Sequence, residues 1–247
     1  MIVQIYEIQT PEEAERCMEV GVDHVGSVLL PMGEWRNQTL KETLRVSEGT
    51  RVKNALIPLF REMGMLFKIL DYYRPDFVHF CESLTDRHGE KMELDPYVEA
   101  QLKIKEKFPE VGVMRSIPIP PKNSAPGFPT LEVARKLESV TDLFLTDTWM
   151  KNEPVEGFIG ITGKPCNWKI AKDLVLQSKI PVILAGGLSP ENVCAALMEV
   201  APAGADSCTQ TNRKDKEGNA LRFKKDFERV KQFVQEVRRA EEGVKGR

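Results

Sequence analysis

The chain has 247 residues, 41% of them hydrophobic and 29% charged, with a formal net charge of −2. That balance suits a soluble globular protein able to bury a core, and it offers no basic field to attract nucleic acid or anionic lipid. Five cysteines, at 17, 81, 166, 194 and 208, form no CxxC pair, which speaks against a disulfide framework or structural zinc and for reduced thiols in a cytoplasm.

The N-terminal run Met1 to Tyr6 is too short and uncharged for a signal peptide, and no stretch approaches the roughly 18 to 20 apolar residues of a membrane span. Ile2 to Ile8 reads as a strand. Thr10-Pro11-Glu12-Glu13 then reads as a helix start, with a Thr cap, proline at the first helical position and a carboxylate three residues past the cap. Ala14, Cys17, Met18 and Val20 give that helix its buried stripe, and Gly21 stops it. Seven more strands are expected at His24 to Leu30, Lys53 to Leu59, Phe77 to Cys81, Val111 to Ile117, Leu143 to Thr146, Val182 to Ala185 and Ala205 to Cys208. Helical patterns fall between them, near 39–47, 61–73, 96–107, 130–139, 167–178 and 189–199. A closing helix is expected near 221–242, with Phe223, Phe227, Val230, Phe233, Val234 and Val237 on one face.

Eight strands alternating with eight helices predict an α/β fold, a (β/α)8 TIM barrel of eight parallel strands, as a single domain over 1–247. Barrels place their sites at the C-terminal ends of the strands. The loop Pro118 to Pro129 carries five prolines just after the fifth strand, and we expect it to wall the site.

Three segments carry chemistry. In Ala185-Gly186-Gly187-Leu188-Ser189-Pro190 a strand ends in two glycines before a Ser-capped helix. Bare backbone can approach an anion there, and free N–H groups point at it. An ordinary tight turn is the bland alternative. Gly204 to Asn212 adds small and hydroxyl side chains, Thr209 among them, at the end of the last strand. Asp147 ends the sixth strand, where a rim carboxyl is a candidate general acid or base, or merely a cap. Three scattered histidines, with no HxH or HExxH, make a metal site unexpected.

These segments resemble the phosphoribosylanthranilate isomerase family, a barrel enzyme of tryptophan biosynthesis. The family shows an LLDT strand end, GGTGKTFDW, SGGLNPENV and a VDVSSGVE-like last strand. Here they read Phe144 to Thr148, Gly160-Ile161-Thr162-Gly163-Lys164-Pro165-Cys166-Asn167-Trp168, Ala185 to Val193 and Ala205 to Asn212. The resemblance implies rearrangement of an aminoaldose phosphate to an aminoketose phosphate, with a phosphorylated small-molecule substrate and no cofactor. It further implies Asp147 as the acid that opens the sugar ring and a phosphate held by Gly163, Gly186, Gly187 and Thr209. Arg36 matches the arginine that reaches the anthranilate carboxylate. A monomer or homodimer is expected, without nucleic acid or membrane partners.

The base departs from the pattern. The family opens with KICG, whose cysteine is the base; in that register Lys becomes Gln4, Cys becomes Tyr6 and Gly becomes Glu7. The second glycine of GGTG is Ile161, and the glycine of SSG is Gln210. A tyrosine of ordinary pKa, near 10, is a poor base but can donate a hydrogen bond. Tyr6, Glu7, Cys208 and Cys81 are the candidates for proton transfer, although strand alternation turns Glu7 away from the side on which Tyr6 points. The expected function is isomerase-type acid/base chemistry on an altered, phosphorylated sugar-type substrate. The alternatives are the family reaction with a substituted base, or a non-catalytic barrel that binds a phosphometabolite.

Overall fold

In the computed structural model, which describes residues 1–31, 34–124 and 127–245, eight parallel strands close into a ring. They are β1 (Ile2–Ile5), β2 (His24–Leu29), β3 (Lys53–Pro58), β4 (Phe77–Phe80), β5 (Gly112–Ile119), β6 (Leu143–Thr148), β7 (Val182–Leu184) and β8 (Gly204–Ser207). Each pairs with its neighbour in sequence, and β1 returns to β8 with Ile2 opposite Gly204 and Ile5 opposite Ser207. The helices between them are α1 (Pro11–Glu19), α2 (Gln38–Arg45), α3 (Met63–Tyr73), α4 (Asp95–Lys107), α5 (Thr130–Leu137), α6 (Trp168–Gln177) and α7 (Val193–Val200), with α8 (Phe227–Lys245) last. This is the (β/α)8 barrel that the alternation predicts.

Both faces of the strands are buried, which is why they read as near-continuous apolar runs. Leu143, Leu145 and Ile183 pack in one cluster with Met114 and Tyr6, while Phe144, Val182 and Leu184 pack with the helices. The period-2 alternation thus separates barrel interior from helix-facing layer. Polar side chains inside the ring satisfy one another. Gln4 donates from Nε2 to Asp206 Oδ1 at 3.1 Å, and its Oε1 lies 3.2 Å from His24 Nδ1.

The start of α1 follows expectation: Thr10 Oγ1 accepts from Glu13 N, and Glu13 reaches back to Gln9 N at 2.9 Å. Two helices differ from their sequence pattern. α7 begins at Val193, not at Ser189, because Asn192 takes over the turn: its Oδ1 accepts from Ser189 N and its Nδ2 donates to Gly187 O. The closing helix begins at Phe227, and residues before it form an antiparallel hairpin of β9 (Asn212–Lys214) and β10 (Ala220–Lys225). Asp226 is the reason for the late start, since its carboxylate accepts from Glu228 N and Arg229 N at the first turn of α8.

Candidate active site

Two adjoining cavities open at the C-terminal ends of the strands. One is an apolar chamber lined among others by Val28, Leu59, Leu145 and Phe158. The other is a smaller polar cradle lined by Gly163, Gly186, Gly187, Thr209 and Gln210. Asp147, Ile161, Asp206 and Cys208 line both, so two carboxyls stand where the cavities meet.

The cradle is shaped by glycine. Gly163, Gly186 and Gly187 have φ of +61°, +98° and +61°, a region that side chains disfavour. A Cβ on Gly187 would also come within 2.4 Å of the Lys164 carbonyl carbon. Among the described residues the N–H groups of these three glycines have no hydrogen-bond partner, so they remain for a ligand. Gln210 donates from Nε2 to Gly163 O at 2.8 Å and ties the end of β8 to the other side of the cradle.

Asp147 keeps some solvent contact at the mouth, and Gly160 lies so close that a Cβ there would meet Asp147 Oδ2 at 2.4 Å. Burial pushes its carboxyl up to about 8, with Asp206 and Glu153 adding to the rise against a hydrogen bond from Thr148 N. Burial also pushes Asp206 up to about 7, opposed by its bond from Gln4 and by the charge of Lys225. One carboxyl is therefore protonated at neutral pH while the other is poised to ionise.

The other candidate bases are placed less favourably. Tyr6 is buried, and its hydroxyl lies 2.6 Å from His79 Nδ1 while His79 Nε2 lies 2.9 Å from Ser116 Oγ. Burial raises the Tyr6 phenol well above its ordinary value and lowers His79 to about 3, so both are neutral. Burial likewise raises the thiols of Cys81 and Cys208. Glu7 lines the chamber, but its carboxylate is occupied: it accepts from Asn212 Nδ2, Phe223 N and Arg222 Nε. Burial alone would raise Glu7; the pull of Arg222, Asn212, Lys225 and the Phe223 N–H instead holds it below its ordinary value.

Arg36 is exposed, with its guanidinium 4.7 Å from the centre of the Trp35 ring, and it lines neither cavity. No described residue of the Pro118 to Pro129 loop lines them either; Ala125 and Pro126 lie outside the described residues. Pro121 instead bridges to Cys166, Pro120 O accepts from Asn167 N, and Phe128 packs on Trp149. The expected wall is supplied by Val155 to Ile161 and by the hairpin through Arg222. Sequence reasoning missed Arg222, which it had placed in a helix, and passed over Asp206 for its neighbour Cys208.

Residues 98–236 match the family model described as N-(5'-phosphoribosyl)anthranilate (PRA) isomerase. The chain belongs to the PRA isomerase family. It is 24% identical over 242 residues to N-(5'-phosphoribosyl)anthranilate isomerase of Methanosarcina acetivorans, covering 96% of this chain and 92% of that one. It is 25% identical over 238 residues to the Aquifex aeolicus isomerase, covering 96% and 98%. Among solved structures it resembles a phosphoribosylanthranilate isomerase in complex with reduced 1-(o-carboxyphenylamino)-1-deoxyribulose 5-phosphate, with a TM-score of 0.66, 20% identity and coverage of 96% and 99%.

Against the family's motifs, Glu7 and Ile161 stand where the resemblance has glycine, and both have a positive φ, 64° and 62°. Each non-glycine residue there costs roughly 1 to 2 kcal/mol. For Glu7 the three hydrogen bonds to its carboxylate offset the strain.

Proposed function

We propose that this protein isomerises a phosphorylated aminoaldose to an aminoketose, with N-(5'-phosphoribosyl)anthranilate of tryptophan biosynthesis as its substrate. Asp147 is the acid and Asp206 the base. The observation that carries this reading is the pair of carboxyls, both raised by burial, shared by an apolar chamber and a polar cradle. The free N–H groups of Gly163, Gly186 and Gly187 suit a phosphate, and the chamber suits an aromatic ring.

Protonated Asp147 delivers its proton to the ring oxygen as the C1–O bond breaks, and the nitrogen lone pair forms the C1=N bond. Ionised Asp206 then removes the C2 proton, and the C2–H electrons form the C1=C2 bond as the iminium takes back its pair. The resulting enolamine becomes the ketone when C1 is protonated and the C2 hydroxyl loses its proton, so the product is an isomer of the substrate. Gln4 holds Asp206 in place from within the barrel. Tyr6 and His79, both neutral, line the chamber.

A second reading, the same chemistry on a smaller substrate, is favoured by one observation. Tyr6 lines the chamber with its ring packed so tightly on Gly26 that a Cβ there would meet it at 2.3 Å, and it is bulkier than the cysteine of the family's motif. Turnover of N-(5'-phosphoribosyl)anthranilate by the purified protein separates the two. We expect turnover, with Asp147→Asn and Asp206→Asn each lowering kcat by about 100-fold or more at little cost in KM. Turnover only of aminoaldose phosphates lacking the aryl group would favour the second reading. An Asp206→Asn variant with full kcat would remove Asp206 as the base.

A further inference from the structure

The hairpin of β9 and β10 brings one basic side chain into the chamber. Among the described residues lining that cavity, Arg222 is the one lysine or arginine. Its position is fixed from behind, since Nε donates to Glu7, which is buried and held ionised. The hairpin itself is pinned to the same carboxylate through Asn212 and Phe223 N. The two Nη groups of Arg222 have no hydrogen-bond partner among the described residues. A guanidinium held through Nε and open at both Nη atoms presents the paired donors that match a carboxylate.

The local charge agrees. Lys225, whose Nζ donates to Cys208 O, also acts on Glu7, so two cations face one carboxylate at this edge of the site. Resting on the proposed function, we infer that Arg222 receives a carboxylate at the apolar end of the substrate, the task that sequence resemblance gives to Arg36. The ligand class is an aryl carboxylate joined to a sugar phosphate. Its phosphate lies in the glycine cradle, its sugar carbons pass Asp147 and Asp206, and its ring lies in the chamber with the carboxylate on Arg222. The related isomerase solved with a carboxyphenylamino-deoxyribulose 5-phosphate holds a molecule with those two ends.

The test compares that reduced compound with its phenyl counterpart lacking the carboxylate, and with inorganic phosphate, by calorimetry. The wild type should prefer the carboxylated compound by about tenfold or more. Arg222→Gln should bring the ratio near one while leaving phosphate affinity unchanged, and Arg36→Gln should leave the ratio as in the wild type. A wild type without preference, a ratio that survives Arg222→Gln, or one that collapses in Arg36→Gln overturns the assignment. If Arg222→Gln fails to fold for want of a partner to Glu7, a crystal structure of the wild type with the carboxylated compound decides. A carboxylate within hydrogen-bond distance of Arg222 Nη supports the assignment, and one held elsewhere overturns it. If no phosphorylated ligand binds, the proposed function falls, and 2-(methylamino)benzoate against N-methylaniline then reads Arg222 alone. A preference for the benzoate that Arg222→Gln abolishes keeps the assignment; equal binding removes it.

Discussion

Two side-chain carboxyls at one barrel mouth take opposite protonation states, and their neighbours explain why. Glu7 is surrounded by donors and stays ionised, while Asp147 has one backbone donor and two carboxyl neighbours and stays protonated. The raised Asp147 pKa has a consequence for stability. In the unfolded chain it ionises near 3.8, and in the fold only near 8. The folded state therefore binds the extra proton across that interval, and stability falls as pH rises from about 4 to about 8. Asp147→Asn removes this proton linkage. The variant should gain on the wild type across that interval, by of order 2 kcal/mol once solvent contact at the mouth is discounted. Melting temperatures measured from pH 4 to pH 9 check it; a constant gap would mean that Asp147 titrates normally. Asp147 was legible in the sequence because a rim carboxyl follows from counting strands. Asp206 was not, because its elevated pKa arises from burial and from Gln4 on another strand, which no local pattern carries. Glu7 was half legible: alternation turned it from Tyr6, but its positive φ ends the alternation and aims it at the hairpin.

The hairpin of β9 and β10 is the element that the sequence hid. Phe223 sits four residues before Phe227 and so completes an apolar helical stripe on paper, yet it lies at φ 58° in a strand and packs against the chamber cluster. The signals against a helix were present. Asp215 makes a turn by accepting from Glu217 N and Asn219 N, and Asp226 caps the helix that follows. Glu7 anchors this element, so Glu7→Gln tests the anchor. Replacing the charge among its donors should cost about 1 to 3 kcal/mol at pH 7. Because the folded pKa of Glu7 lies below its ordinary value, its contribution is present above about pH 4.5 and lost as pH falls through the folded pKa. The gap between variant and wild type should therefore narrow in acid, and amide exchange over 212–225 should quicken at pH 7. A gap that persists unchanged in acid would assign the effect to shape and not to charge.

At the scale of the molecule, the ring closes where β1 meets β8, so the two ends of the chain must be held together. The eightfold alternation made the ring legible; the means of holding the ends was not, because it joins residues more than two hundred positions apart. α8 does it in two ways. Arg238 donates to Met1 O at 2.6 Å and to Gly21 O at 3.1 Å, and pairs with Asp23, whose Oδ2 accepts from Val3 N. Beneath it Val230, Phe233, Val237 and Ala240 are wholly buried against the barrel. The polar contacts are part-exposed, and such pairs contribute up to about 1 kcal/mol each. Truncating a buried phenylalanine costs about 3 to 5 kcal/mol. Packing should therefore dominate: Phe233→Ala should lower the melting temperature well beyond Arg238→Met. A closed barrel leaves no edge on which part of the sheet can persist, so loss of α8 should take the whole ring with it in one transition. Near- and far-ultraviolet circular dichroism of Phe233→Ala should then give coincident melts. Two separated transitions, with the barrel outlasting α8, would show that the closing helix is an accessory to the ring and not its lock.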